Sequence, residues 1–173
     1  MKTTLALVTL LVSSAFAQQT KNPVSSVLRD SLAGRAKNTV AAFEAMPAEK
    51  YGYKPTPEQM TFGHLAAHIV ESNYFFCANV GDVPQPKTDE LKGTEDKAML
   101  VAAMQASFDF CGTALAKADD SKLGDSIQGF DGKPRLRAWA FLALAGSWSD
   151  HYGAAAMYLR LNGLLPPTAQ PKK

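Results

Sequence analysis

Cysteine and histidine are scarce here: two cysteines and three histidines occur among 173 residues, so at most one intrachain disulfide can form. A charge surplus is also missing. The chain has 18 basic and 16 acidic residues, and leaving out Lys2 makes that 17 against 16, so no net field draws it toward nucleic acid or anionic membranes. Sustained two-residue alternation is absent as well, which leaves no convincing sheet. The apolar run at the N-terminus is about 12 residues long, short of the roughly 20 that a bilayer requires.

That short run has another reading. Lys2 supplies a positive start, Leu5 to Val12 an apolar core, and Ala15-Phe16-Ala17 a small-residue cleavage site, so residues 1–17 read as a secretory signal peptide. No cysteine follows the cleavage site to carry a lipid anchor. The mature chain, residues 18–173, then suits a single secreted or periplasmic domain, with no membrane attachment once the signal is removed. Export would place Cys77 and Cys111 in an oxidising compartment, where an even pair is usually bridged. Closing that loop would stabilise the fold by roughly 3 to 4 kcal/mol.

Four helices are expected. Leu28, Leu32, Ala36, Val40 and Phe43 recur at three- and four-residue steps over Val24 to Met46. Three prolines between Met46 and Pro57 then force an extended connection, whose two tyrosines should pack back onto the domain. Phe62, Leu65, Ile69 and Phe76 mark a second helix from about Thr61 to Asn79. Residues 80–93 read as a loop. Thr94 is placed as the cap of a third helix, with Leu100, Met104, Phe108, Cys111 and Leu115 inward. A short extended piece is expected at Ser126 to Phe130, and Pro134 opens a fourth helix ended by Asn162-Gly163.

These elements predict an all-α four-helix bundle. The cysteines bear on its topology. If helices two and three were simple antiparallel neighbours, Cys77 and Cys111 would stand about 25 Å apart along the bundle. A bridge therefore requires the two helices to be parallel, and the loop between them to cross back along the bundle. At about 3.3 Å per residue that loop reaches roughly 45 Å, which is enough. The result is an up-down-down-up arrangement with a long crossover.

All three histidines fall on two helical stretches. His64 and His68 lie one turn apart on one face and can share an ion, and His151 on the fourth helix can supply a third nitrogen. Three protein ligands with one open position is the pattern of a catalytic zinc site. A solvated surface pair beside a satisfied core histidine is the plainer alternative.

The stretches Thr61-Phe-Gly-His-Leu-Ala-Ala-His68 and His151-Tyr-Gly-Ala-Ala-Ala-Met-Tyr-Leu-Arg160 resemble the second and fourth helices of the DinB family. The resemblance covers the whole mature chain and implies the same up-down-down-up bundle. It also implies a divalent metal, zinc or nickel, held by one histidine of helix two and a His-x-x-x-His pair of helix four. His68 matches the first of these and His151 the second member of the pair. The remaining ligand should stand at position 147, which is Ser147. A neutral hydroxyl is a poor zinc ligand. Either His64 has taken its place or the site is degenerate. Glu71 is read as a solvated glutamate, with a carboxylate ligand or a partner to a ligating histidine as the alternative, and Asp150 as exposed or paired with a neighbouring element.

Three functions follow as expectations. The first is a metal-dependent hydrolase acting on a small molecule. The second is a non-enzymatic binding protein built on a decayed site. The third, suggested by relatives that transfer low-molecular-weight thiols, fits an exported chain less well. The resemblance also implies a homodimer. N-terminal sequencing of protein recovered from outside the cytoplasm should begin at Gln18; an intact Met1 would remove the export reading.

Overall fold

The computed structural model describes residues 21–171, so the expected signal peptide lies outside the described residues. Four helices form where the apolar stripes place them: α1 (Pro23–Ala45), α2 (Phe62–Gly81), α3 (Lys97–Leu115) and α4 (Arg137–Leu161). The stripe residues of α2 and α3 are all buried. Tyr51 and Tyr53 fold back as expected. The Tyr51 hydroxyl donates to the Phe43 carbonyl at 2.7 Å and its ring meets Phe62 edge-on, while Tyr53 packs against Tyr158.

Two boundaries differ from expectation. Asp96, not Thr94, caps α3, its carboxylate accepting the Met99 N–H at 2.8 Å. Glu95 instead accepts the N–H groups of Lys92 and Gly93, which closes the turn before the helix. Pro134 does not begin α4. It starts β2 (Pro134–Leu136), which pairs antiparallel with β1 (Ser126–Gln128), the extended piece expected there. The hairpin prevails because Gly132, at φ 71°, supplies the left-handed turn residue and Gly129 N–H bonds the Lys133 carbonyl. The helix therefore begins three residues late.

Contacts at the helix ends give the directions. Arg137 at the start of α4 donates to the Asn79 carbonyl and pairs with Asp82 at 2.9 Å, so α4 runs antiparallel to α2. Lys97 at the start of α3 donates to the carbonyls of Glu44 and Met46, so α3 runs antiparallel to α1. Helices α2 and α3 are parallel neighbours. Their C-terminal halves are joined by the Cys77–Cys111 disulfide, with 5.1 Å between Cα atoms. This is the up-down-down-up bundle, and residues 82–96 form the crossover.

Backbone approaches are close where α2 meets its parallel partner. Gly81 lies against the Ala114 carbonyl, and Gly63 against the Gly93 carbonyl of the crossover. A side chain at either position would press directly into backbone.

One polar group lies at the centre. Asn73 on α2 is fully buried; its Nδ2 donates to Ser107 Oγ of α3 at 2.9 Å, and its Oδ1 accepts the Trp148 indole N–H of α4 at 2.8 Å. Ser107 donates onward to the Met104 carbonyl at 2.7 Å. Three helices are thus joined at one level.

The glycine packing makes a paired prediction. Gly81→Ala should lower stability by about 2 kcal/mol through overpacking. Gly112→Ala, whose added carbon would meet only Leu32 Cδ2 at 3.7 Å, should be neutral or stabilise by up to about 1 kcal/mol. Urea unfolding of the two variants measures both; equal effects would contradict the close α2–α3 approach.

Candidate metal centre

The Asn73–Trp148 bond sets the register between α2 and α4. His68 precedes Asn73 by five residues and His151 follows Trp148 by three. In antiparallel helices both steps run toward the same end of the bundle, by about 7.5 Å and about 4.5 Å. The two imidazoles consequently meet. Their ring centroids are 4.8 Å apart at an interplanar angle of 88°, and both residues are half-buried.

His64 is not part of that meeting. It sits exposed in the first turn of α2, where its N–H donates to the Thr61 cap at 3.1 Å. Among the described residues, no group of three or more His, Cys, Asp or Glu side chains is placed to hold an ion. The structure therefore brings together His68 and His151 of the three expected ligands, and leaves His64 on the outer face. Glu71 and Asp150 are exposed, in line with solvated carboxylates.

Ser147 stands one turn before His151, and its Oγ lies 3.0 Å from His151 Nδ1. The direction of that bond follows the tautomer. When Nδ1 carries the proton and donates to Oγ, Nε2 presents a free lone pair. Burial, and to a smaller extent the neighbouring His68, push the His151 pKa down to about 4, with Asp150 opposing weakly. His151 is thus a neutral imidazole at pH 7, the form in which histidine binds metal. A pKa so far below neutrality makes it a weak base for activating the Ser147 hydroxyl.

His68 also faces outward, onto a cleft of about 290 Å³ between α2 and the crossover, together with His64, Glu71, Tyr74, Asp89 and Glu90. The donor set fits a two-nitrogen site. It does not fit a three-imidazole one, because the third place is held by a hydroxyl already bonded to its neighbour.

Fold and site together define a four-helix bundle that pairs histidines between two antiparallel helices. The chain belongs to the DinB superfamily, whose profile matches residues 32–153. Solved structures agree on the fold. A DinB-like protein from Bacillus cereus superposes with a TM-score of 0.67 at 17% identity, over 82% of this chain and 95% of its own. A DinB-like protein from Bacillus subtilis does so with 0.64 at 19%, over 84% and 99%. A mycothiol-dependent maleylpyruvate isomerase gives 0.58 at 12%, over 75% of this chain and 59% of its own. No curated protein matches the chain significantly.

Sequence reasoning treated Ser147 only as a missing ligand and overlooked its bond to His151, although the four-residue spacing signals it. It also overlooked Asp89 and Glu90, since nothing in a loop's composition says which helix it crosses.

The depressed His151 pKa has a consequence for stability. The unfolded chain takes up this proton near pH 6.5, whereas the folded one resists it until about pH 4. Stability is therefore full above the upper value and falls as pH drops through that window, by about 1–2 kcal/mol after allowing for the ring's partial exposure. In metal-free protein, His151→Gln should flatten the pH 4–6.5 stability slope by that amount; an unchanged slope would contradict the burial of His151.

Proposed function

We propose that this protein is an exported DinB-superfamily bundle that holds a divalent cation between α2 and α4 through His68 and His151, without the full ligand set of a metal-dependent hydrolase. The observation that carries the reading is the 4.8 Å meeting of the two rings, with the Ser147 hydroxyl on His151 Nδ1 in place of a third ligand. Ligating histidines ordinarily engage their second nitrogen in this way. The family resemblance supports the same two residues and suggests zinc or nickel as the ion.

Export is supported by the signal-like N-terminus and by the Cys77–Cys111 disulfide, which suits an oxidising compartment. Balanced charge supports a protein without nucleic-acid or membrane partners. Helix α3 is long and apolar enough to cross a membrane by composition, but its inner stripe from Leu100 to Leu115 packs in the bundle core, as in a soluble domain.

A second reading rests on the cleft beside His68, whose volume suits a small organic molecule. In that version the bundle is a non-enzymatic small-molecule-binding protein and the histidines are remnants. The thiol-dependent chemistry in the name of one structural neighbour has only a 12%-identical likeness of fold behind it. A homodimer is suggested by the resemblance alone.

Restoring the third imidazole tests the metal reading. In untagged protein, Ser147→His should raise zinc affinity by about 100-fold or more, read by competition with a chromophoric chelator. Zinc affinity that stays at the wild-type value would remove position 147, and with it the α2–α4 site.

A further inference from the structure

We propose that the free edge of β1, together with the cleft between it and the start of the crossover, binds an extended peptide segment that joins the hairpin as a third strand. The ladder supplies the first observation. Gly129 N–H donates to the Lys133 carbonyl and Arg137 N–H to the Asp125 carbonyl. With Ile127 opposite Arg135, these are the alternate, hydrogen-bonded pairs of an antiparallel ladder. Ser126 and Gln128 therefore direct their backbone N–H and C=O groups away from β2, where none of them has a partner among the described residues. The two edges of the hairpin are not alike. On β2 the outward positions are Pro134 and Leu136, and a proline on an edge is a device by which sheets refuse a further strand. Strand β1 keeps both of its outward donors.

A cleft of about 500 Å³ lies along this edge. Strand β1 forms one wall, residues 82–85 of the crossover form another, and Phe75, Asn79 and Arg137 complete it; no residue of β2 takes part. The crossover cannot fill the place itself, because Pro84 has no N–H and that of Val83 is taken by the Ala78 carbonyl at 3.0 Å. Arg137 supplies a second, independent observation. Its side chain is only 7% exposed. Nη1 donates to the Asn79 carbonyl and Nη2 to Asp82, but Nε has no partner among the described residues. A buried donor left unpaired is destabilising, and a backbone carbonyl brought into the cleft is the acceptor it lacks.

Spacing identifies the occupant. The outward groups of Ser126 and Gln128 recur after two residues, about 6.8 Å, which is the repeat of an extended peptide backbone. A residue set opposite Ile127 turns its side chain to the same face as the half-buried Ile127, and its two neighbours turn outward with the exposed Ser126 and Gln128. The segment that fits is polar–apolar–polar, and β-branched residues favour the extended form.

The probe is acetyl-Thr-Val-Thr-amide, titrated into untagged, disulfide-intact, isotope-labelled protein and followed by NMR of the amide and arginine Nε–H groups. Binding should be weak, with a Kd of about 1 mM. The amides of Ser126 and Gln128 and the Nε–H of Arg137 should shift together. At about ten times the Kd, exchange of those two amides with solvent should slow about tenfold, while Ile127 and Gly129, already bonded to β2, keep their rates. Gln128→Pro removes an outward N–H and no rung of the hairpin, and should weaken binding by about tenfold or more; Gln128→Ala keeps the N–H and should stay within about twofold of wild type. Protection of Ile127 and Gly129 reports that the hairpin is intact in each variant, and Ser126→Pro, at the first strand position where proline is tolerated, repeats the reading independently. Amides of Ser126 and Gln128 that do not move with about 10 mM peptide, proline variants that bind as wild type, or a loss in Gln128→Ala equal to that in Gln128→Pro would each overturn the proposal.

Discussion

The carboxamide of Asn73 is the constraint on which the rest of the arrangement depends. It lies fully buried and spends a donor on Ser107 of α3 and an acceptor on Trp148 of α4. An apolar interface tolerates small slides of one helix past another, since methyl groups exchange neighbours at little cost. A buried amide does not. Sliding α4 by one residue would strand both the Asn73 oxygen and the indole N–H away from water, at about 1–3 kcal/mol for each group. The bond therefore selects one register among several of similar apolar burial.

That register, together with the disulfide, defines the site. Cys77–Cys111 ties α2 to α3 one turn from the same level, and Gly81 and Gly63 allow close backbone contact at both ends of α2. With α2 held on two sides, the meeting of His68 and His151 is a consequence of helix geometry rather than of any attraction between two imidazoles. The crossover demanded by parallel α2 and α3 then runs past the outer side of His68. It brings Asp89 and Glu90 to a cleft whose other wall is α2.

Much of this was legible in the residue pattern. The stripe from Leu100 to Leu115 specified which face of α3 turns inward, and the spacing of Cys77 and Cys111 required parallel helices once a bridge was assumed. The cap at Asp96 and the hairpin at Pro134 were not, because each is decided by competition between neighbouring turn residues whose local preferences are nearly equal. Within the site, His68 and His151 were identified by residue type, and Ser147 by comparison with a family pattern. What could not be read was distance. Whether His64 reaches inward depends on where its turn of α2 faces, and the structure shows it at the outer rim beside the Thr61 cap. Asn73 was equally hidden, since a single polar residue in an apolar helix gives no indication of its partners.

The place proposed for an ion is the contact between two helices rather than the exposed face of one. An anomalous difference map from crystals of the untagged protein grown with zinc(II) tests this most directly. A single peak within bonding distance of one nitrogen each of His68 and His151, beside an intact Ser147–His151 bond, is the predicted result. A peak shared by His64 and His68 on the outer face of α2, or no peak at either place, would contradict it.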